Sequence, residues 1–379
     1  MDTLDQERGY RSEPSLTGSE YVDPQVFDRE RAHILFEEWM CVARDKQIPE
    51  PGDYLLEEVA GEPLLISRDR AGQVRAFHNV CRHRGALLCD DESGRAASGV
   101  FKCPYHAWTY DLEGRLVATP NVSRDEGFDR DSYGLWACPV DTWGGFIFVN
   151  VSGQAPPLRQ ALADDPEEPM QFERFSLDRL RLGKNTTFEV RANWKIIVDN
   201  YNECLHCPSV HKELSALVPV FRRGEVAEDP DSWTVSLREG ATSFTMSGTS
   251  SLPPLPGIKQ EDLHVFRGCY LFPNLMLNLT SDSLRYFILL PRNAGHTTIR
   301  NGYLFAPSTI EADMDLSDVI GFGEMVARQD WSICERAQRG CATMRFREFG
   351  GVYPYQDRLL ADFKHRYHRS LGRDRRAMS

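Results

Sequence analysis

The stretch CRHRGALLCDDESGRAASGVFKCPYHAWTY, residues 81–110, contains two short segments that each carry one cysteine and one histidine. Cys81 and His83 form a C-x-H segment, and Cys103 and His106 form a C-x-x-H segment after 19 intervening residues. A zinc finger usually groups its ligands as two cysteines followed by two histidines. The mixed segments suit instead a [2Fe–2S] cluster, in which one iron binds both thiolates and the other binds both imidazoles. We therefore predict that the two segments meet at one iron–sulfur site, with structural zinc as the alternative.

Short β-like segments surround these ligands between Asp53 and Val151. Glycine, aspartate and proline separate them, which is typical of strands joined by turns. The segments are DYLLEEV, EPLLISRD, QVRAFHNV, GVFKCPYH, WTYDLEGRLV and GGFIFVNVS. Glu113-Gly114 lies in the middle of the fifth segment and predicts the tip of a hairpin. This region is predicted to form a small all-β domain that holds the four ligands on two of its loops.

The whole chain has 379 residues, which suggests two or three domains, and 41% of its residues are hydrophobic. A net charge of −12 argues against nucleic acid or an anionic membrane as the main partner. No apolar run approaches the ~18 residues of a membrane span, and the polar start MDTLDQERGY lacks the pattern of a signal peptide. Ten cysteines in a chain of this length do not indicate a disulfide scaffold. A reducing cytoplasm is the expected compartment.

The flanking regions have their own patterns. Residues 1–22 are expected to form a loose arm, and Asp23-Pro24 predicts the start of a helix that continues to about Trp39. The segment SGQAPPLRQALADDPEEP, residues 152–169, is rich in proline and aspartate and is predicted to be a crossover between domains. Residues 170–379 mix helical patterns with strands such as RYFILLP and TTIRNGYLFAP. They predict an α+β domain built around an antiparallel sheet.

A second group of candidate ligands lies in RANWKIIVDNYNECLHCPSVHKEL, residues 191–214. Apolar residues recur there at helical spacing and predict a helix from about 193 to 206, with Glu203 and His206 on one face. Pro208 should end this helix, and the chain can then bring His211 back toward His206. Two neutral imidazoles and one carboxylate would form a facial triad with open positions on Fe(II) for O2. Taken alone, two histidines near a helix end are more often ordinary surface or core residues.

The carboxylate of such a triad must come from further along the chain. The segment VARQDWSICERAQRG, residues 326–340, contains Asp330 and Glu335, and Glu324 lies just before it. Spacing alone does not distinguish these three residues.

Both groups of ligands resemble signatures of one family, the ring-hydroxylating-type Rieske oxygenases. The Rieske signature C-x-H-R-G…C-x-x-H-x-W is present as Cys81-Arg82-His83-Arg84-Gly85 and Cys103-Pro104-Tyr105-His106-Ala107-Trp108. The signature N-W-K…D/E-N…E/D-x-x-H-x4-H is matched by Asn193-Trp194-Lys195, Asp199-Asn200, Glu203, His206 and His211. The late segment is similar to the family's aspartate ligand followed by C-E-x-x-Q-x-G, and this similarity selects Asp330. The residue before the ligand, often acidic in the family, is Gln329 here.

The resemblance implies the oxygenase (alpha) subunit of a Rieske non-heme iron enzyme with an α+β fold. Residues 1–40 would form an N-terminal arm and helix, residues 41–155 an all-β Rieske [2Fe–2S] domain, and residues 156–379 a helix-grip (START-like) catalytic domain with an antiparallel sheet. The implied cluster ligands are Cys81, His83, Cys103 and His106, and the implied ligands of the mononuclear Fe(II) are His206, His211 and Asp330. Subunits of the family assemble head to tail as homotrimers. Glu203 would accordingly bridge a cluster histidine of one subunit and an iron-ligand histidine of the next.

The resemblance also implies partners and a reaction. A flavin or iron–sulfur reductase, or a ferredoxin, would deliver electrons from NAD(P)H. The NYNECLHC stretch is similar to oxygenases that act on glycine betaine, carnitine and stachydrine, which implies hydroxylation or N-demethylation of a small quaternary ammonium compound. The alternative is an aromatic ring-hydroxylating dioxygenase for an aromatic acid, which has the same metal centres. The candidates for aromatic contacts with a cationic substrate are Tyr270, Phe272, Tyr286 and Phe287. Packing in the sheet core is the better explanation for each of them singly, so no aromatic cage is assigned.

Overall fold

The computed structural model describes residues 12–96, 98–120, 122, 128–165, 169–227 and 234–372. The chain divides into two compact units, one formed by Arg31–Asp164 and the other by the residues before and after this range.

Nineteen strands and ten α-helices lie in the described part of the chain. The strands are β1 (Glu13–Pro14), β2 (Met40–Arg44), β3 (Asp53–Val59), β4 (Glu62–Arg68), β5 (Val74–His78), β6 (Ser93–Arg95), β7 (Val100–Lys102), β8 (Thr109–Asp111), β9 (Leu116–Ala118), β10 (Ala137–Cys138), β11 (Val140–Trp143), β12 (Phe146–Val149), β13 (Arg181–Val190), β14 (Thr234–Ser236), β15 (Val265–Leu271), β16 (Leu275–Leu279), β17 (Leu284–Asn293), β18 (His296–Phe305) and β19 (Val352–Tyr353). The α-helices are α1 (Gly18–Val22), α2 (Pro24–Glu30), α3 (Leu158–Ala163), α4 (Trp194–Tyr201), α5 (Cys207–Val210), α6 (Lys212–Leu217), α7 (Pro307–Glu311), α8 (Ser317–Cys341), α9 (Met344–Phe349) and α10 (Arg358–Leu371).

The unit Arg31–Asp164 is built from three antiparallel sheets. Their strand orders are β10-β5-β4-β3-β6, β11-β12-β2 and β7-β8-β9. Each of the six predicted β segments contains a strand, so the prediction of a small β domain is confirmed. The predicted hairpin is β8–β9, and Gly114 lies in its turn with a φ of 84°. A side chain there would be strained, and its Cβ would lie 2.5 Å from the ring of Phe77, so the turn requires glycine.

The other unit contains a six-stranded antiparallel sheet and the long helix α8. The strand order is β13-β18-β17-β16-β15-β14. Helix α8 buries Val319, Phe322, Ala327, Trp331 and Cys334, which follow one another at intervals of three to five positions. This spacing gives an amphipathic helix with one face in the core. An α+β fold with an antiparallel sheet is therefore confirmed. None of the helices among the described residues is long and apolar enough to cross a membrane.

Two expectations for the N-terminal region were wrong. Residues 12–22 do not form a loose arm, because β1 pairs with β19 and Tyr21 is buried in α1, where its hydroxyl donates a hydrogen bond to Asp199. Residues 1–11 lie outside the described residues. The helix that starts at Pro24 does not reach Trp39, since α2 is followed by a π-helical segment, Arg31–Leu35. The chain must be extended from Met40 onward, because β2 pairs there with β12.

Candidate metal centres

The two Cys/His segments form a pair of similar loops. In the first, the amide of Gly85 donates to the carbonyl of Cys81 at 3.0 Å; in the second, the amide of Ala107 donates to the carbonyl of Cys103 at 3.0 Å. Gly85 and Ala107 both have positive φ angles, 73° and 58°. Each loop thus turns tightly four residues after its cysteine, and its histidine lies within this turn.

At these loops the two predicted cysteine ligands lie next to each other, and so do the two predicted histidine ligands. Cys81 and Cys103 are buried, burial raises the pKa of the Cys81 thiol, and the rings of His83 and His106 have their centres 4.5 Å apart. Nδ1 of His83 is buried and has no hydrogen-bond partner among the described residues, although a buried nitrogen normally has one. The two buried thiols, together with the imidazole nitrogen that has no partner, fit the donor set of a Rieske cluster.

The surroundings of the loops differ from one side to the other. Trp108 is buried and stacks on His83 with ring centres 4.7 Å apart, and the hydroxyl of Tyr110 lies 3.3 Å from Sγ of Cys81. Tyr105, which packs against His106, is 61% exposed. The ring of His106 therefore lies near the protein surface, where another protein can approach it.

Helix α4 carries the N-W-K sequence at its start, and each of these three residues anchors it. The side chain of Asn193 caps the helix by accepting from the amide of Lys195 at 3.0 Å. The indole of Trp194 donates to Glu30 at 2.8 Å, and Nζ of Lys195 pairs with the same buried carboxylate at 2.5 Å. These contacts fix the helix that leads into the candidate iron site.

The predicted helix over 193–206 was wrong in its second half. Helix α4 ends at Tyr201, and Glu203 and His206 lie in the loop before α5. Pro208 does not end a helix; it occupies the first turn of α5, where its missing N–H is not needed. Glu203 still reaches His206, because its carboxylate accepts from Nδ1 at 2.5 Å and from the backbone amide at 3.2 Å.

His206, His211 and Asp330 meet at one point. Nε2 of His206 lies 3.2 Å from Nε2 of His211, and Oδ1 of Asp330 lies 2.7 Å from Nε2 of His211 and 3.5 Å from Nε2 of His206. Metal bonds of about 2.1 Å place neighbouring ligand atoms roughly 3 Å apart, which these separations match. Among the described residues, these three side chains form a group whose possible metal-binding atoms all lie within 4.8 Å of one another.

In each of the two imidazoles, the hydrogen bond made by Nδ1 determines which ring nitrogen carries the proton. Nδ1 of His206 donates to Glu203, and Nδ1 of His211 donates to Oε1 of Gln329 at 2.7 Å. In the neutral rings both Nε2 atoms therefore carry a lone pair directed at the shared point. Burial lowers the pKa of His206, but its hydrogen bonds to Asp330 and Glu203 outweigh burial and raise the pKa to about 9. A donor set that holds a proton this strongly fits a metal cation in its place.

The structure distinguishes the three candidate carboxylates by the residues that each of them contacts. Asp330 lies beside both histidines. Glu324 pairs instead with Lys184 and Arg328, each at 3.1 Å, and Glu335 accepts from the backbone amide of Arg191 at 3.1 Å. Of these three, Asp330 is thus the one that can complete a facial triad.

A mostly apolar cavity of ≈ 190 Å³ adjoins the three side chains. Aromatic residues form much of its wall, namely Phe221, Phe244, Phe266, Phe287, Phe322 and Trp331. Of the four aromatic residues singled out in the sequence, Tyr270 and Phe287 line this cavity. Phe272 packs against Trp194 and Phe363.

The sequence did not predict the contacts of three residues near His206. Cys204 and Cys207 form a disulfide around it, and Nδ2 of Asn200 lies 3.3 Å from its Nε2. The C-x-x-C spacing of the two cysteines was the available signal for the disulfide. Asn200 belongs to the D/E-N part of the matched signature and is the residue that directs an amide N–H toward the His206 lone pair.

Comparison with known families agrees with the two centres. Residues 38–140 match the Rieske [2Fe-2S] domain, and residues 177–373 match the ring hydroxylating alpha subunit (catalytic domain). The chain belongs to the alpha subunits of the Rieske non-heme iron oxygenases, which combine a [2Fe–2S] cluster with a mononuclear iron. The predicted family, fold class, enzyme class and cofactors are thereby confirmed.

Several relatives are similar over most of their length. The glycine betaine monooxygenase oxygenase subunit of Pseudomonas aeruginosa is 31% identical over 359 residues, which cover 86% of this chain and 82% of the relative. The carnitine monooxygenase oxygenase subunit of Acinetobacter pittii is 31% identical over 333 residues, with 88% and 86% covered. A solved structure of a quaternary ammonium Rieske monooxygenase that oxidises carnitine has a TM-score of 0.77 at 26% identity, with 95% and 97% covered. Naphthalene 1,2-dioxygenase from Rhodococcus sp. shares the fold, with a TM-score of 0.71 at 20% identity and 95% of each chain covered.

Proposed function

We propose that this oxygenase hydroxylates or N-demethylates a small quaternary ammonium compound of the betaine type. The Pseudomonas and Acinetobacter relatives are monooxygenases of glycine betaine and carnitine, and the aromatic wall of the cavity suits a methylated ammonium group. The observation that carries the proposal is the convergence of His206, His211 and Asp330 at the edge of this cavity. A substrate bound there lies next to the iron that these residues would hold.

Within this proposal, the residues of the chain have distinct tasks. Cys81, His83, Cys103 and His106 hold the [2Fe–2S] cluster, and His206, His211 and Asp330 hold Fe(II). When bound, the two groups supply the stored electron and the site of O2 activation. Glu203 and Gln329 orient the imidazoles of the iron ligands through Nδ1. The apolar wall of the cavity keeps bulk water away from the reacting carbon.

The overall reaction balances without a further reactant. One O2, one NAD(P)H and one proton convert an N-methyl C–H bond into C–OH and give NAD(P)+ and water. The N-hydroxymethyl group then breaks its C–N bond, which releases formaldehyde, the tertiary amine and a proton. Hydroxylation at a neighbouring carbon has the same electron balance but releases no formaldehyde.

Electron transfer is proposed to cross between subunits of a head-to-tail homotrimer, with Glu203 as the bridge. The solved quaternary ammonium Rieske monooxygenase gave insights into inter-subunit electron transfer in that protein. Large apolar side chains are exposed beside the relevant residues of this chain: Tyr105 and Leu87 near the cluster loops at 61% and 44%, and Leu205 beside Glu203 at 42%. Contact with another subunit would remove these side chains from water. A reductase or ferredoxin is the proposed electron donor.

An aromatic acid is the second candidate substrate, because the same phenylalanine-rich wall would also hold an aromatic ring. Turnover measured with reductase and NADH on glycine betaine, carnitine, stachydrine and benzoate distinguishes the two candidate substrate classes. We expect NADH oxidation coupled to a hydroxylated or demethylated betaine, with about three irons per chain. A dihydroxylated aromatic product would support the second candidate instead. About two irons per chain and no product from any compound would contradict an oxygenase.

Complementation tests the path between subunits. A subunit with His106→Ala lacks a cluster ligand, and a subunit with Asp330→Ala lacks an iron ligand. Each variant alone should be inactive, whereas mixed trimers purified with two different tags should regain part of the activity. Mixed trimers without activity, while wild-type subunits carried through the same procedure remain active, would contradict transfer between subunits.

A further inference from the structure

Arg285 is a cation in the wall of the substrate cavity that forms no ion pair with any described residue. It lies on β17 and lines the same cavity as His206, His211 and Asp330. Protein surrounds the guanidinium closely, and burial lowers its pKa although Tyr303, Asp330 and Glu324 oppose this shift. A cation removed from water needs a counter-charge or a full set of hydrogen bonds.

The hydrogen bonds and ring contacts of Arg285 all involve neutral groups. Nε donates to Oδ1 of Asn301 at 2.7 Å, and Nη1 donates to the carbonyl of Gly323 at 2.7 Å. The guanidinium carbon lies 4.4 Å from the ring centre of Phe287 and 4.9 Å from that of Tyr303. Nη2 is buried and has no hydrogen-bond partner among the described residues. These contacts hold the guanidinium group in place, but none of them neutralises its charge, and Nη2 has no hydrogen-bond partner among the described residues.

A second arginine of the same sheet, Arg267, also has a buried nitrogen, Nη1, without a partner among the described residues, but it differs from Arg285 in having a counter-charge. Arg267, on β15, donates from Nη2 to Oδ1 of Asp262 at 2.6 Å, and Arg174 donates to both oxygens of the same carboxylate at 2.8 and 2.7 Å. Arg267 therefore has its counter-charge within the protein, and it does not line the cavity. Among the described residues that line the cavity, the carboxylates are Glu203 and Asp330, and both lie against histidine nitrogens, at 2.5 and 2.7 Å.

We infer that the counter-charge of Arg285 arrives with the substrate and that Arg285 is the residue that selects a carboxylate-bearing quaternary ammonium compound. This inference rests on the proposed function and makes it more specific. The carboxylate of a betaine pairs with the guanidinium, while the methylated ammonium contacts the aromatic wall. A quaternary ammonium alcohol without a carboxylate leaves Arg285 unpaired and adds a second positive charge, so it should be a poor substrate.

The test compares glycine betaine with choline, which carries the same trimethylammonium group but no carboxylate. In Arg285→Gln, kcat/KM for glycine betaine should fall by about 100-fold, mainly through a higher KM, because a desolvated charge pair is lost. The value for choline should stay the same or rise. Arg285→Lys should keep part of the preference, since it retains the charge but not the fork. Calorimetric binding of glycine betaine should weaken in parallel with KM.

Arg267→Gln is the matched control, because it makes the same replacement at another buried arginine in the same sheet. It should lower Tm but leave the ratio of kcat/KM for glycine betaine and choline unchanged. An equal loss for both substrates in Arg285→Gln, or a wild-type preference for choline, would overturn the role of Arg285 while leaving the proposed function intact. If the wild-type enzyme turns over no quaternary ammonium compound, the proposed function fails. In that case benzoate and benzamide replace glycine betaine and choline as the pair with and without a carboxylate. Equal kcat/KM values for benzoate and benzamide would also overturn the role of Arg285.

Discussion

The Nε2 atoms of His206 and His211 lie 3.2 Å apart, and in the neutral rings neither of them carries a proton. Each ring has already used its Nδ1–H, toward Glu203 in one case and Gln329 in the other. Two lone pairs at this distance repel each other, and the nearby carboxylate of Asp330 adds negative charge. The arrangement therefore favours a bound cation, which is either a proton or a metal ion.

Metal binding at this point should release a proton. The pKa of His206 is raised to about 9 in the metal-free chain, so the ring is protonated below that pH and a metal must displace the proton. The affinity for Fe(II) should accordingly fall by up to about tenfold for each pH unit below that pKa. Anaerobic calorimetry of the metal-free protein, in two buffers of different ionisation enthalpy, measures the protons released. An affinity that stays constant from neutral pH up to this pKa would contradict the raised value.

Gln329 should be needed for iron retention, although it is not itself a predicted ligand. Its Oε1 accepts the Nδ1–H of His211 at 2.7 Å and so holds the ring with Nε2 toward the metal. Gln329→Leu removes the acceptor and should weaken iron binding by about 10–100-fold, whereas Gln329→Glu should retain iron. Iron content after dialysis against a chelator measures the effect. Arg328→Gln, a change at the exposed neighbouring residue, should retain iron, and loss of iron from both variants would show only a general loss of stability.

The histidines of the cluster loops should control its reduction potential. His83→Cys or His106→Cys replaces a neutral imidazole with a thiolate, which should lower the potential by roughly several hundred mV and change the absorption and EPR spectra. Cys89→Ser is the control, because Cys89 lies between the two segments and burial raises the pKa of its thiol to about 11. Its replacement should leave the spectra unchanged. Unchanged spectra in the histidine variants, with stoichiometric zinc in the wild type, would remove the Rieske assignment of these residues.

Local patterns were sufficient to predict that the two Cys/His segments lie in loops of a β domain. The cysteine and histidine of each segment are close in sequence, and turn-forming residues such as Gly85 determine how the loops bend. The strands around them also follow local signals, as the hairpin at Gly114 illustrates. Predictions of this kind succeed because the interactions that decide the conformation lie within a few residues.

The parts that could not be predicted depend on contacts that no periodic pattern in the sequence reveals. Helical periodicity continued past Tyr201, but Glu203 bonds the backbone of His206 in a loop, so the helix stops earlier. The contact of His211 with Gln329 spans 118 residues of sequence, and no local pattern indicates it. Arg285 is likewise an ordinary charged residue in a strand until the cavity beside it is known.

The reductase should approach the cluster through Arg84 and Lys102. Both are exposed near the ligand loops, whereas Arg82 stacks on Trp136 at 4.1 Å and Arg95 pairs with Asp53 at 2.6 Å. If the reductase presents an acidic surface, Arg84→Glu and Lys102→Glu should slow its association several-fold and reduce the dependence on salt. Arg95→Gln should have a smaller effect, because its charge is already paired. Stopped-flow reduction of the cluster at several ionic strengths measures the association rate. If the rate changes neither with salt nor with any of the three substitutions, this surface does not bind the reductase.

Glu203→Gln should bind both metal groups and yet turn over very slowly. Glu203 accepts the Nδ1–H of His206 at 2.5 Å and does not lie among the three converging donors, so iron should remain bound. Glutamine keeps the size and one acceptor oxygen but loses the charge that orients and polarises the imidazole. Electron transfer from a neighbouring cluster should therefore fail, while Glu335→Gln, which changes an acid that bonds Arg191 instead, should behave as wild type.

Single-turnover kinetics decide between the possible roles of Glu203. The reduced enzyme is mixed with substrate and O2, and reoxidation of the cluster is followed together with product. Wild-type rates of reoxidation and product formation in Glu203→Gln would mean that this residue is not the bridge. Loss of iron from the mononuclear site would instead make Glu203 a ligand, and the choice of Asp330 would then have to be tested again with Asp330→Ala. Retained iron with a cluster that stays reduced is the expected result, because only the connection between the two centres has been broken.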